Sequence, residues 1–581
     1  MEKRAIIAIG LSVLILIIYQ LLFVKPKTPT KPKIEAPAKS VVEKVEKKEK
    51  PQKKKKIEVL YPTGDAAEER VEDSQERRCR VETELFHIIF TTRGARVLHW
   101  ELKRYKDDEG KPLDIVSRKM AIQDLLPLSI FNEDNPKLTQ KLNSALFLPS
   151  SYSLKPGRRS KPVVLSFRYS DGKGLSLTKS LTFSSNSYIV GLKMRSSSPE
   201  LIRKGVILWG PDLGNQPYAV KRGLFSAPLG GVQSIIYLNG KINRVKSLKD
   251  RESPKEISFR SYEGVIDLIG MEDNYFASLF LLPQTIDKGI IVQKRVLIQK
   301  SREESLSHKA LFSGIPLESQ DKEVSLFVGP KDYKLLRKIN PKLGEVVNFG
   351  FFSFIAKPLL FGLQAVNKYV HNYGFSIILL TALIKLLFHP LTRKSYRSMK
   401  KMQLLQPKLN AIRDRYKKAK KDPLMRQKMN QEIMDLYRKE GVSPMGGCLP
   451  MLLQLPVLFA FYKLLYVSIE LRHAPFIWWI TDLSKKDPYY ITPIIMGITM
   501  LIQQRQTPTV GDPSQARMLK LMPIFFTFIF LNFPSGLVLY WLVNNLLTIG
   551  EQRLINIGEK KGASAAKKKI KHKRKGGKRS N

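Results

Sequence analysis

Cysteine is scarce in this sequence of 581 residues, and its scarcity excludes several classes of protein. Cys79 and Cys448 are the only two cysteines, so a small domain held together by disulfides is excluded. No paired-cysteine or Cys/His spacing typical of zinc sites occurs, and we predict no metal site. Because the membrane topology predicted below puts the two cysteines on opposite sides of the bilayer, we do not expect them to pair.

Catalytic signatures are also missing. The sequence contains no nucleophile elbow, no phosphate-binding loop and no HExxH motif. No carboxylate lies inside its predicted spans, whereas intramembrane proteolysis needs a buried acid pair, a Ser/His pair or a metal. We therefore predict that the protein is not an enzyme and uses no cofactor.

Acidic residues are few relative to basic ones. The chain carries 99 Lys and Arg against 51 Asp and Glu, a formal net charge of +48. Such an excess implies an anionic partner: phospholipid headgroups, RNA or both. The hydrophobic fraction of 43% resembles that of a soluble protein, but it is concentrated in a few long runs. These runs favour a membrane protein over a protein that binds nucleic acid alone.

The N-terminus begins with Lys3 and Arg4, followed by an apolar run over residues 5–24. That run is about as long as a bilayer is thick, roughly 20 residues. Because no small-x-small cleavage site follows, we predict that residues 1–24 form an uncleaved signal anchor; a cleaved signal peptide is the alternative. Residues 25–57 are rich in Lys, Pro and Glu, and we predict a disordered linker. Its lysines on the far side of the membrane oppose the positive-inside rule, which weakens for long translocated domains.

Residues 58–342 have the pattern of an all-β domain. Residues 84–90, 95–100, 175–183 and 187–194 form short β-rich runs, separated by Gly, Ser, Asn and Pro. Alternation with frequent turn residues predicts an antiparallel sandwich. We find no lectin, protease or hydrolase motif in it, and we interpret it as a packing or docking domain.

Residues 343–370 are apolar on most faces, with one polar stripe. We predict an amphipathic helix lying in the membrane interface; a core helix that closes the β domain is the alternative. The stripe consists of Ser353, Lys357, Gln364, Lys368 and His371.

Five further apolar runs are predicted to span the membrane within residues 371–550. With the signal anchor they make six spans. The last three are short, because ~16 residues rise only ~24 Å across a ~30 Å hydrocarbon layer. Such spans recruit flanking residues or thin the bilayer around them. The runs cover residues 373–389, 449–467, 489–503, 521–533 and 536–549.

The charge pattern shows two basic segments, of which the first lies between two predicted spans. Residues 394–441 carry many Lys and Arg and few acids, which predicts a cytoplasmic location. Their apolar residues repeat at heptad spacing on both sides of a turn, which predicts a helical hairpin with two facing seams. The seams consist of Met402, Leu405, Leu409, Ile412 and Tyr416, and of Met425, Met429, Ile433 and Leu436.

The C-terminal tail, residues 551–581, is basic and disordered in character. We predict that a cluster of its cations binds ribosomal RNA phosphates; a solvated tail on the surface of an anionic membrane is the alternative. The cluster consists of Lys567, Lys568, Lys569, Lys571, Lys573, Arg574 and Lys575.

Lys385 is the one clear charge deep in a predicted span. A charge at a helix centre costs about 2.5–3.5 kcal/mol, so it is usually functional and faces a wet cavity. Two interpretations stay open: Lys385 lines a polar groove, or its ammonium snorkels to the cytoplasmic headgroups. Thr381 lies one turn earlier on the same face. Gln454, Asn544 and Asn545 are further polar residues in spans, which line the same groove or form interhelical hydrogen bonds.

Several short motifs, in order over residues 344–555, resemble those of the YidC family of membrane protein insertases. With the signal anchor and the β-rich region, they are similar to its Gram-negative form. The motifs are NYGFSII (372–378), HPLT (389–392), MQLLQPKL (402–409), GGCLP (446–450), QLP (454–456), ELRHAP (470–475), DPYY (487–490) and FPSGLVLYW (533–541).

The resemblance implies an architecture and a site. The architecture is a multi-spanning α-helical membrane protein with six transmembrane helices, a five-helix insertase core, an all-β periplasmic β-supersandwich domain and a cytoplasmic helical hairpin. In the family a cationic residue, commonly arginine, faces a hydrophilic groove open to cytoplasm and lipid. Lys385 occupies that position, and lysine keeps the charge but loses the bidentate fork. Thr381 matches a groove residue, and Tyr540 and Trp541 match aromatic positions that meet substrate helices.

The resemblance also implies partners and location. The expected activity is insertion, folding and assisted assembly of nascent membrane proteins, alone or with the Sec translocon (SecYEG and SecDF). The ribosome and membrane phospholipids are further expected partners. The expected location is the bacterial inner membrane, with both termini cytoplasmic and the large domain periplasmic.

Two rival classes make different predictions. A channel or transporter would carry charges in several spans, whereas this sequence has one clear deep charge. A periplasmic chaperone merely anchored by the spans would place its function in the β domain. For that class, Lys385 would be dispensable.

Overall fold

A computed structural model of the chain describes residues 69–122, 124–157, 161–214, 231–248, 257–299, 305–317, 323–417, 422–442, 449–506 and 513–576. The predicted signal anchor and linker, residues 1–57, lie outside the described residues.

The N-terminal half of the described chain consists mainly of β-strands. Along the chain the strands are β1 Arg78–Glu82, β2 Phe86–Thr91, β3 Arg96–Lys106, β4 Pro112–Asp114, β5 Ser129–Asn132, β6 Leu148–Pro149, β7 Ser153–Leu154, β8 Val163–Ser170, β9 Ser176–Phe183, β10 Ile189–Ser196, β11 Gly205–Trp209, β12 Gln233–Leu238, β13 Lys241–Val245, β14 Ile257–Glu272, β15 Phe276–Gln299, β16 Ser305–Pro316 and β17 Val324–Pro330.

These strands form two sheets. One sheet has five strands in the order β4-β3-β2-β1-β7. The other has twelve, with the path β13-β12-β14-β15-β17-β10-β9-β8-β6 and with β16, β11 and β5 extending from β15. The pairs are antiparallel apart from the short parallel pair β1–β7.

The sheets pack face to face as the alternating sequence pattern requires. In β9, every second residue is buried. Trp100 of β3 meets Trp209 of β11 edge-on, with ring centroids 5.5 Å apart. Phe90 of β2 packs on Phe167 of β8 at 5.6 Å. This core confirms the predicted β-sandwich.

Helices make up most of the C-terminal half. The helices of the chain are α1 Arg118–Ala121, α2 Pro136–Ser144, α3 Pro199–Lys204, α4 Tyr333–Ile339, α5 Ser353–Val370, α6 Tyr373–Leu404, α7 Gln406–Arg415, α8 Pro423–Lys439, α9 Leu449–Val467, α10 Ile491–Gln506, α11 Pro513–Phe530 and α12 Ser535–Gly576.

Helix α6 differs from its predicted bounds. Pro390 was expected to end it at residue 389, but the helix continues to Leu404 and has 32 residues in all. A proline inside a helix removes one backbone hydrogen bond, and helices that pack in a membrane protein tolerate this loss. The break comes instead at Leu405, next to Pro407 at the start of α7.

Among the described helices, α6 is the one that is long and apolar enough to cross a membrane, with a mean hydropathy of 1.8. Gln454–Val467 and Lys520–Phe530 are shorter apolar segments. Leu383, Leu386 and Leu387 of α6 are well exposed, at 56%, 72% and 73%, as lipid-facing leucines would be.

The predicted interfacial helix is shorter than expected. Residues 343–370 hold α5 together with a preceding 3₁₀ turn, Pro341–Val346. Helix α5 buries Ala356, Leu359, Leu360 and Leu363 on one face, whereas Phe354 is 67% exposed. This division matches the amphipathic pattern of the sequence.

Helices α7 and α8 pack against each other along part of the predicted seam. Met402, Leu405 and Leu409 are buried in one cluster, against which Ile433 and Leu436 pack. Lys408 Nζ donates to Glu440 Oε1 at 2.6 Å across the pair. The seam does not extend as far as predicted, because Met425, nearest the turn, is 38% exposed.

The last span and the tail form one helix. We expected residues 536–549 to span and residues 551–581 to be disordered in character, but α12 runs from Ser535 to Gly576. Ala and Lys are strong helix formers, and they dominate residues 563–575. All seven residues of the predicted basic cluster fall within α12.

Candidate functional site

A row of polar contacts joins α6 to α12, and Lys385 lies within it. The Lys385 ammonium donates a hydrogen bond to Thr548 Oγ1 at 2.8 Å. Thr548 Oγ1 in turn donates to the Asn544 carbonyl at 2.6 Å, so its own proton is already used. The lone pair of Thr548 therefore fixes the direction of the ammonium.

The row continues along both helices. One turn beyond Lys385, His389 Nδ1 lies 2.7 Å from Glu551 Oε1, and the carboxylate is the acceptor. Further on, Asn556 Nδ2 donates to the Tyr396 hydroxyl at 3.0 Å. Because residues three or four apart share a helix face, Lys385 with His389 and Thr548 with Glu551 form a ladder along one side of each helix.

Tyr540 lies on the same side of α12, two turns before Thr548. Its ring stacks on Phe461 of α9, with centroids 4.5 Å apart and planes at 14°. Its hydroxyl interacts with Gln454, also on α9. Eight residues separate Tyr540 from Thr548, a rise of about 12 Å. One face of α12 therefore carries an aromatic contact to α9 and a polar contact to α6.

The other predicted groove residues are packed against neighbours. Thr381 is 1% exposed and donates to the Ile377 carbonyl at 2.6 Å. Trp541 packs on Phe526 and Phe530 of α11, at 6.0 and 5.3 Å between centroids. Tyr540 is only 2% exposed. The contact of the two aromatic rings with substrate helices stays a prediction.

A loop between α9 and α10 joins the helical core to the β-sandwich. Arg472 Nη1 donates to the Lys106 carbonyl at 2.7 Å. Its guanidinium lies over the Phe276 ring, 5.4 Å from the centroid. Lys485 Nζ pairs with Asp108 at 2.7 Å. Partial burial raises the pKa of Asp108, but the hydrogen bond and charge of Lys485 outweigh it, so this pKa is lowered.

A second charged cluster closes the β-sandwich near the start of the helical region. Glu272 is fully buried and pairs with Lys331 at 2.9 Å and Arg244 at 2.6 Å. Burial raises the pKa of Glu272, but the two cations outweigh it and hold the pKa below its ordinary value. Arg244 also donates to the Val346 carbonyl at 2.9 Å, which ties the cluster to the segment before α5.

Comparison with known families covers both halves of the chain. The profile described as "60Kd inner membrane protein" matches residues 365–562. The profile described as "YidC periplasmic domain" matches residues 78–203 and 212–361.

Curated relatives match over nearly the whole chain. A "Membrane protein insertase YidC" of Geotalea daltonii is 37% identical, over 96% of this chain and 99% of the relative. Relatives with the same name from Syntrophus aciditrophicus, at 36%, and Geobacter sulfurreducens, at 37%, also cover 96% of this chain, and 99% and 98% of their own lengths.

The chain belongs to the YidC family of membrane protein insertases. Membership confirms the predicted family, the insertase activity and the absence of an enzymatic role. It also confirms a protein of the inner membrane with a periplasmic domain.

Sequence reasoning missed the partners of Lys385 on α12. Thr548 and Glu551 lie one turn apart, and His389 lies one turn after Lys385. The signal was present in the spacing, because both sets follow i, i+3 or i, i+4. What the sequence alone lacks is the pairing of α6 with α12, two helices more than 130 residues apart.

Proposed function

We propose that this chain inserts newly made membrane proteins through a groove in which the Lys385 ammonium attracts acidic residues of the client. The single observation that carries this proposal is the hydrogen bond of Lys385 to Thr548, on the inner side of α6. A lysine that snorkels would extend toward the end of its helix and the headgroups. Lys385 instead points across to α12, which supports a role inside the helical core.

The mechanism follows from the cost of moving polar groups through hydrocarbon. A short polar segment of a client leaves the cytoplasm through a hydrophilic groove, where its polar groups need not enter hydrocarbon. Lys385 stabilises the carboxylates of that segment. The apolar spans of the client then slide past Tyr540 and Trp541 into lipid. Burial of the client's own apolar surface drives the step, so no nucleotide is needed.

The proposal includes a topology. Six spans, with both termini and the α7–α8 hairpin in the cytoplasm, put the β-sandwich and the loop after α9 in the periplasm. The basic hairpin supports this orientation. Protease added outside spheroplasts should cut between residues 25 and 343 and leave residues 400–439 intact. Cleavage of the hairpin from outside would contradict the orientation.

The partners in the proposal are nascent membrane proteins, the Sec translocon (SecYEG and SecDF), the ribosome and phospholipids. The charge of +48 supports the two anionic partners. The basic cluster of residues 567–575 and Thr548 belong to the same helix, α12.

Charge variants at Lys385 test the proposal. The assay compares two matched clients, one with an acidic and one with a neutral translocated segment, in cells depleted of their own insertase. Lys385→Ala should impair the acidic client and spare the neutral one. Lys385→Glu should be worse than alanine, because it repels the same segment, whereas Lys385→Arg should be tolerated, because it keeps the charge.

The outcome separates the groove from snorkelling. If Lys385 only snorkels, removing its costly charge leaves insertion of both clients intact. Equal activity of the Arg, Ala and Glu variants on the acidic client would leave the groove charge without a role. A variant of the exposed Lys173 to Ala, in the β-sandwich, serves as the control for loss of one positive charge.

A further inference from the structure

Glu551 is an acidic side chain on the same ladder as Lys385. It lies one turn after Thr548 on α12, and its side chain is 10% exposed. Its carboxylate accepts a hydrogen bond from His389 at 2.7 Å. Lys385 and His389 lie one turn apart on α6, and their partners Thr548 and Glu551 lie one turn apart on α12, so the carboxylate is a neighbour of the ammonium. The groove cation therefore has an anionic neighbour within the protein itself.

We propose that Glu551 is the internal counter-charge of Lys385 and sets how acidic a client segment must be to occupy the groove. The inference rests on the proposed role of Lys385. A client carboxylate that approaches the ammonium has to compete with a carboxylate already in place. Glu551 thus determines specificity by lowering the net positive potential of the groove.

Thr548 acts as the positioning residue of this arrangement. Its hydroxyl proton is committed to the Asn544 carbonyl, so it offers Lys385 an acceptor and not a donor. The hydrogen bond holds the ammonium one turn from Glu551, where a charge pair is only partly screened. His389 holds the carboxylate from the other side.

The test is Glu551→Gln, measured with the acidic and neutral clients. Glutamine keeps the shape and an oxygen that accepts from His389, and it removes only the charge. We expect insertion of the acidic client to rise about threefold, the factor expected for one partly screened charge pair, with no change for the neutral client. Glu101→Gln is the matched control, because Glu101 forms a similar pair with His87 at 2.9 Å in the β-sandwich.

The same substitution is also made in the Lys385→Ala background. In that background there is no ammonium for which the two carboxylates compete, so Glu551→Gln should raise insertion of the acidic client by a smaller factor than it does beside Lys385. An equal rise with and without Lys385, or an equal change for both clients, would overturn the proposal. Loss of the acidic preference in Lys385→Ala alone tests the proposed function separately, so the two failures are distinguishable.

Variants of Thr548 test the positioning role. Thr548→Ser keeps the acceptor and should behave as the parent chain. Thr548→Val removes it at nearly constant shape and should lower insertion of the acidic client only. The amount of each variant in the membrane is measured in parallel. A client-independent loss in Thr548→Val with normal membrane levels would overturn the positioning role.

Discussion

Arg472 is expected to fix the β-sandwich on the helical core, and Arg472→Ala should loosen that attachment. The side chain leaves the loop after α9 and reaches the turn between β3 and β4. It donates to the Lys106 carbonyl at 2.7 Å and lies over the rings of Phe276 and Tyr275, at 5.4 and 6.0 Å from their centroids. Alanine removes all three contacts.

The magnitude follows from these contacts. A hydrogen bond from a charged donor contributes about 1.5–3 kcal/mol. One guanidinium shared between two rings adds about 0.5–1 kcal/mol. The sum is about 2–4 kcal/mol of local docking free energy, so local opening should become at least roughly 30 times more frequent. The ion pair between Lys485 and Asp108 is unchanged in this variant. It still links the loop after α9 to the β-sandwich, so we expect local opening and not full separation of the two.

Hydrogen exchange of the purified chain measures this opening. Protection of the amides of residues 106–108 and 469–485 should fall in Arg472→Ala, while the amides of β9 stay protected. Arg472→Lys should give an intermediate loss, because lysine keeps the charge without the planar fork. Arg203→Ala, an exposed arginine on α3, is the control. Unchanged protection at residues 106–108 would refute the reasoning.

Two further predictions concern acid stability and the tail. The folded-state pKa of Glu272 is lowered, so its stabilisation is present above its unfolded pKa and is lost as the pH falls through the folded value. We expect thermal stability to fall below about pH 4.3, and Glu272→Gln to reduce that pH dependence; identical slopes would contradict this. Truncation from Gly562 onward should weaken salt-sensitive cosedimentation with ribosomes, and unchanged binding would discard the tail site.

The spacing of apolar residues and the local composition were enough to predict much of this fold. The alternation in residues 175–183 predicted a strand with one buried face, and β9 has that pattern. The apolar run of residues 449–467 predicted an apolar helix that ends at Val467, as α9 does. Each pattern depends on which side chains of a single strand or helix are apolar. It therefore predicts that element without knowledge of the elements that pack on it.

Contacts between distant elements could not be predicted. Lys179 occupies a buried position in β9, where a charge is unexpected. Its ammonium is fully buried and donates to the carbonyls of Gly94 and Leu128 at 2.7 Å each. Burial holds the pKa of Lys179 well below its ordinary value. No local pattern indicates that two distant carbonyls will meet one ammonium.

Helix ends in the core were also beyond local rules. Proline usually ends a helix, and Pro390 was expected to do so. Helix α6 nevertheless continues through Pro390, because α12 packs along its length. Likewise, the residues after the last span continue as helix. At Pro390, packing overrode the helix-ending signal of proline. After the last span, the helix propensity of Ala and Lys outweighed the basic composition from which disorder was predicted.

Reconstitution of the purified chain tests its insertase activity most directly. The chain is placed alone in liposomes, and a small two-span client with an acidic translocated segment is diluted in from denaturant without nucleotide. We predict a protease-protected client fragment that exceeds the amount in protein-free liposomes and falls with Lys385→Glu. Protection no greater than in protein-free liposomes would contradict the account.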